Sequence, residues 1–269
     1  MPEDPPDVLA PGVRSVLARM DRLVEPMHRR GDHLRFFLDT YRRTTLAVGQ
    51  RIEDAGFEDP TWVDAWDVAF AELYLQALAA YQADPSSAPR PWRAAFGAEP
   101  GLHPLQHVLL GINAHVNYDL PQALLAVISV ADFERPLVMA RRRRDHERID
   151  HVLASRVAAE DAELAAAQAP LPVSVSGRPR SARARRPVDR LLQPVNRLAS
   201  RRFLAEARQK VWTNAQALHV ARVNGPQAYR RRLAELELLS AARVADLLAP
   251  GSVLLKLGLG GFGVVLPPP

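Results

Sequence analysis

Residues 111–121 read Gly-Ile-Asn-Ala-His-Val-Asn-Tyr-Asp-Leu-Pro. Polar side chains alternate through this stretch at Asn113, His115, Asn117 and Asp119, and apolar residues lie on both sides of it. A buried polar group without a hydrogen-bond partner costs about 1–3 kcal/mol. We therefore expect these side chains to pair with one another, with neighbouring helices or with a ligand.

The fold class follows from apolar residues that recur at three- and four-residue spacing, which is typical of helices. This spacing predicts helices over 12–30, 32–55, 60–82, 103–119, 136 to about 165, 200–223 and 226–248. Asp59-Pro60 supplies an N-cap followed by proline at the first helical position. We predict an all-α fold, a single helical-bundle-like domain over residues 10–249 packed around a central buried helix at about 103–119.

Two segments differ from this helical pattern. Residues 169–187 repeat Pro, Ser, Gly and Arg, which predicts a flexible linker within the domain. Residues 250–269 form an apolar tail that is rich in glycine and ends in three prolines. Lys256 interrupts this tail and no amphipathic period is present, which favours an extended segment docked on the domain over peripheral membrane contact.

Composition narrows the classes of function. The chain has no cysteine, which excludes disulfides, thiolate metal sites and a cysteine nucleophile and fits a cytoplasmic protein. The net charge is +5, its basic side is almost entirely arginine, and arginines cluster at 141–144, 178–186 and 230–232. Aromatic residues do not interleave with these clusters, so we interpret them as solvated helix faces and a basic linker rather than as a nucleic-acid surface. No uncharged apolar run is long enough for a transmembrane helix.

The helical wheel of residues 102–120 divides the polar side chains into separate groups. His115 and Asp119 are four residues apart and therefore share one edge of the apolar stripe. Asn113 and Asn117 share the opposite edge. His103 and His107 fall on a third face. A metal cluster made of several histidines from this one helix is therefore geometrically poor.

His115 and Asp119 have three interpretations. They form a buried structural hydrogen-bond network, an acid–base pair in which the carboxylate orients the imidazole, or half of a metal site. The two nearby asparagines favour a functional role, because convergent polar groups are typical of a ligand pocket. Whether a metal or any other cofactor binds is left open.

The helix after Pro136 carries a candidate partner for this pair. Asp145 lies on the apolar side of that helix, where a carboxylate is unusual unless it is paired. We expect Asp145 either to form a local ion pair with Arg142 or Arg148, or to face the helix that carries His115. Asp67, off the aromatic stripe of the helix 60–82, is expected to be exposed.

The stretch from Pro104 to Pro121 also resembles the hallmark of an uncharacterised domain family of bacteria with high-GC genomes. That hallmark is similar to Pro-Leu-Gln-x-x-Leu-x-Gly-[Ile/Met]-Asn-Ala-His-[Ile/Val]-Asn-x-Asp-Leu-Pro. Weaker similarities lie in the Phe70–Tyr74 and Pro91–Phe96 regions, whereas Asp150 replaces an expected asparagine. The resemblance covers roughly residues 35–225. It implies an all-α fold and the importance of the four polar residues, without a reaction, cofactor or substrate.

These observations predict a pocket for a small-molecule or lipid-like ligand. His115, Asp119 and Asp145 are the candidate catalytic residues, with His115 as general base or metal ligand, and Asn113 and Asn117 are the candidate ligand-binding residues. The alternative is a non-catalytic helical scaffold in which the motif is a buried structural network. The identity of the ligand and the oligomeric state are left open.

Overall fold

The computed structural model describes residues 9–149, 152, 188–250, 261 and 263–268, with the backbone alone for 188–204. All regular secondary structure in these ranges is helical, which confirms the predicted all-α class. The helices are α1 (Pro11–Arg30), α2 (Arg35–Glu53), α3 (Pro60–Ala83), α4 (Arg90–Phe96), α5 (Pro104–Ala114), α6 (Leu120–Val127), α7 (Val130–Phe133), α8 (136–149), α9 (Val188–Val223) and α10 (Pro226–Leu248). The predicted linker at 169–187 lies outside the described residues.

Local signals in the sequence account for several helix ends. Gly31 adopts φ 66°, a left-handed conformation that glycine accepts without penalty, and ends α1. The Asp59 side chain accepts a hydrogen bond from the Trp62 backbone N–H (3.1 Å), as expected for the N-cap of α3. At α5, the backbone N–H of Leu105 donates to His103 Nδ1 and the backbone N–H of His103 donates to the Gln106 side chain, which is a capping box.

The central helix differs from the prediction in its length. The chain does not break at Pro121, because a π-helical turn, His115–Asp119, joins α5 to α6 into one continuous rod. In this turn the Leu120 backbone N–H donates to the His115 carbonyl, five residues back instead of four. The wider turn accommodates Pro121, which has no backbone N–H and would clash with a regular helical turn.

The hydrophobic core has two halves, and the central rod contributes to both. α5 packs against α2, α4 and α10, where Phe37, Tyr74, Trp92 and Leu110 are buried. α6 packs against α3 and α9, where Trp66, Leu124, Trp212 and Leu218 are buried. The π-turn therefore lies where the two halves meet. No helix of the described residues is long and apolar enough to cross a bilayer.

Candidate functional site

His115 and Asp119 form a buried pair on the π-turn. His115 Nδ1 lies 2.8 Å from Asp119 Oδ2, and Trp92 Nε1–H from α4 donates to the same oxygen at 2.7 Å. The exposed fraction of the two side chains is 4% for His115 and 2% for Asp119. Because Trp92 already donates to Oδ2, we assign Nδ1–H as a second donor to it. This assignment leaves the lone pair of the neutral imidazole on Nε2.

Aromatic rings enclose the imidazole. Phe70 of α3 stacks on it almost in parallel, with ring centroids 3.5 Å apart and an interplanar angle of 4°. Tyr41 of α2 meets it edge-on at 4.6 Å, and Phe37, Tyr74 and Trp92 approach to between 5.7 and 6.0 Å. Phe70 is half-buried whereas the imidazole is buried, so its ring covers His115 on that side.

The pair is held in an environment that disfavours charge. Burial lowers the pKa of His115, and the hydrogen bond and charge of Asp119 partly oppose this change. Burial raises the pKa of Asp119, and the donors from His115 and Trp92 oppose that change. Although it is buried, His115 Nε2 has no hydrogen-bond partner among the residues that the structure describes. A neutral imidazole with its lone pair unused is therefore available inside the fold.

Sequence reasoning missed a further carboxyl group near this pair. Asp67 is buried, and desolvation raises its pKa to about 7, with a smaller contribution from the charge of Asp64. It lies one turn of α3 before Phe70, the ring that stacks on His115. The spacing of Val63, Asp67, Phe70, Tyr74 and Ala77 places Asp67 on the core face, and this spacing was the signal that could have found it.

Asn113 and Asn117 lie on the other edge of the rod, where they contact each other and the C-terminal segment. Asn117 Nδ2 donates to Asn113 Oδ1 at 3.0 Å. Asn117 Oδ1 accepts a hydrogen bond from the backbone N–H of Val264, in the C-terminal segment, at 3.0 Å. The structure thus unites His115 with Asp119, and it connects the asparagines to the tail.

The model of a family of unknown function, DUF5995, matches residues 13–250. The chain belongs to the DUF5995 family. This match extends beyond residues 35–225, the range over which the sequence resembled an uncharacterised family. No protein of curated function matches the chain, and no solved structure matches it.

In this DUF5995 chain, Asp145 does not join His115. Its buried carboxylate accepts hydrogen bonds from the backbone N–H groups of Glu58 (2.7 Å) and Asp59 (3.0 Å) and pairs with Arg148 (3.0 Å). The two backbone donors lie at the start of α3, whereas Phe70 is three turns further along, roughly 16 Å at 1.5 Å per residue. The local ion pair with Arg148 that the sequence suggested is present, and the alternative in which Asp145 faces His115 is not observed.

The remaining histidines of the central helix also lie apart from the pair. His103 caps α5, and His107 packs against the ring of His33 with centroids 4.8 Å apart. Among the residues that the structure describes, no group of three or more His, Asp or Glu side chains is arranged to hold a metal ion. Asp150, which stands where the family resemblance expects asparagine, lies outside the described residues.

Proposed function

We propose that His115 and Asp119 form an acid–base centre for a small, mostly apolar ligand that carries one hydrogen-bond donor. The observation that carries this proposal is His115 Nε2, a buried and unpartnered acceptor on an imidazole whose other nitrogen is held by a carboxylate. Buried polar atoms in native proteins almost always have partners, so such an atom supports a ligand in that place.

The chemistry of the centre follows from its geometry. Asp119 fixes the ring orientation and the tautomer of His115, and Trp92 in turn holds Asp119. A ligand O–H or N–H would donate to Nε2, and full transfer of that proton would give an imidazolium that Asp119 stabilises. The surrounding aromatic rings suit an apolar ligand body. Because Phe70 covers the imidazole, entry of a ligand requires this ring to move.

The test uses phenol as a probe, since it is an aromatic molecule with a single O–H donor. Binding is measured by ligand-observed NMR to the wild type, to Phe70→Ala, which uncovers the imidazole, and to Phe70→Ala/His115→Asn. The asparagine amide can still donate to Asp119, but it offers nothing at the position of Nε2. We expect phenol to bind Phe70→Ala at least tenfold more tightly than the double variant.

Toluene is the matched control, because it has the shape of phenol and lacks the donor. Its binding to the two variants should be equal. If phenol fails to bind Phe70→Ala, or binds both variants equally, the acid–base centre is refuted.

A second candidate function is the non-catalytic scaffold, and the Trp92–Asp119–His115 chain of hydrogen bonds favours it. In a scaffold this chain fixes how α4 packs on the central rod. His115→Asn would then retain both stability and every binding property of the protein, whereas Asp119→Ala would lower stability strongly.

A further inference from the structure

The C-terminal segment lies in a groove whose polar groups bind its backbone. Asn214 of α9 donates from Nδ2 to the Val264 carbonyl (2.9 Å) and accepts at Oδ1 from the Leu266 backbone N–H (2.8 Å). Asn117 of the π-turn accepts from the Val264 backbone N–H. An asparagine amide carries both donors and an acceptor, so these two side chains replace the neighbouring strand that an extended segment would have in a sheet.

Cationic side chains bind three further carbonyl groups of the segment. Lys210 Nζ donates to the Gly263 carbonyl at 3.0 Å. Arg243 and Arg232, both from α10, donate to the carbonyls of Gly261 and Pro267. The groove therefore recognises main-chain atoms of the segment at successive positions, with donors from α9 and α10.

Side chains of the segment add sequence selectivity. Leu266 is 4% exposed and belongs to the core, whereas its neighbour Val265 is 42% exposed. A Cβ atom at Gly263 would lie 2.7 Å from Lys210 Cδ, and one at Gly261, where φ is +69°, would lie 2.6 Å from Glu206 Oε1. The groove thus fits an extended peptide with glycine at both positions and leucine at the buried one.

We propose that this groove is a peptide-binding site that accepts the same C-terminal segment from a second copy of the chain. The hydrogen bonds described above, to Gly261 and to residues 263–267, come from α9, α10 and the π-turn, which form the groove. Exchange of the segment between two copies would therefore preserve each contact, which is the condition for domain swapping. In each copy the chain's own segment competes for the groove at the high effective concentration of an intramolecular partner. Binding of a second segment is therefore measured in a variant whose own segment no longer binds the groove.

The test uses the full chain with Leu266→Asp, which places a charge in the buried leucine site and releases the chain's own segment. The probe is a fluorescent synthetic peptide of residues 259–269, and its binding is measured by fluorescence anisotropy. We expect the peptide to bind Leu266→Asp at least tenfold more tightly than it binds the wild type or Val265→Asp. The latter is the matched control, because its new charge lies on the exposed side of the segment.

A second change tests the recognition itself. Asn214→Leu keeps the branched shape of the side chain and removes both hydrogen bonds, so the double variant Leu266→Asp/Asn214→Leu should lose peptide binding at least tenfold. Equal binding to the single and double variants, or no binding to a folded Leu266→Asp chain, would overturn the proposal.

If Leu266→Asp does not fold, Gly261→Val replaces it, since φ is +69° at Gly261 and a β-branched side chain is strained in that conformation. The peptide should then bind this variant at least tenfold more tightly than it binds the wild type, and a smaller difference would overturn the proposal.

Discussion

Asp67 shows how a single buried carboxyl group can set the pH dependence of stability. Its folded-state pKa is about 7, against 3.8 in a model peptide. Between these values the folded chain keeps a proton that the unfolded chain has lost, so this group makes stability fall as pH rises from about 4 to about 7. Above pH 7 the buried carboxyl group of Asp67 is ionised in the folded chain as well, and a buried charge without a partner is unfavourable.

Asp67→Asn should therefore stabilise the protein at high pH. A shift of about three units corresponds to an upper limit of about 4 kcal/mol above pH 7, falling towards zero near pH 4. Urea unfolding of the variant and the wild type at pH 4.5, 6 and 8 measures the difference. Burial also lowers the pKa of His146, to about 3, but that contribution is common to both proteins and cancels. A difference that does not grow with pH would contradict the prediction.

Gly111 is required by a close contact rather than by backbone conformation. A Cβ atom there would lie 2.4 Å from the ring of Phe37, which itself packs on Trp92 and His115. Gly111→Ala should lower the free energy of unfolding by about 1–3 kcal/mol through overpacking, although alanine is the better helix former. Denaturant unfolding checks this. Gly101→Ala, where the new atom has no neighbour closer than 3.8 Å, should change stability by less than about 0.5 kcal/mol.

Among the elements, the π-turn is the feature that creates the candidate site. π-helical turns are frequent at functional sites, and this one carries both His115 and Asp119. The four-residue spacing on the helical wheel predicted that His115 and Asp119 share one edge of the helix and that Asn113 and Asn117 share the other. The extra residue in the turn was not predicted, because the register depends on how Pro121 is accommodated between packed helices.

Asp145 is a buried part of the connection between α8 and the start of α3. Asp145→Ala would leave two backbone N–H groups without their acceptor and would remove one of the two carboxylate partners of Arg148, at a cost of about 2–4 kcal/mol. Thermal or urea unfolding measures this loss. Asp132→Ala removes a more exposed acid from an i,i+3 pair with Arg135 and should cost less than about 1 kcal/mol.

Binding at His115 tests the earlier assignment of Asp145 as catalytic. Because Asp145 is bound at the start of α3, phenol should bind Asp145→Ala/Phe70→Ala as tightly as it binds Phe70→Ala. If phenol binding is lost in a variant of unchanged stability, Asp145 contributes to the His115 site.

At the scale of the whole molecule, the tail and the acid–base pair meet at one turn of helix. Val264 binds Asn117, which lies between His115 and Asp119. Release of the tail by Leu266→Asp should therefore shift the imidazole NMR signals of His115 and speed hydrogen exchange at the Val264 amide. Val265→Asp should leave both unchanged. Faster exchange without any shift of the His115 signals would show that the tail and the pair are independent.

The sequence by itself determined the helical class, most helix limits and the two polar pairs, because these depend on local spacing and capping. It also indicated a docked tail, and residues 263–268 are docked as expected. The tertiary structure alone decided which polar groups reach distant parts of the chain. Asp145 binds the backbone at the start of α3 and Asn117 binds the tail, and each of these contacts joins residues far apart in the chain. Burial of Asp67 likewise depends on the helices that pack on α3. Such contacts are set by how helices pack, which the periodicity of a single helix does not encode.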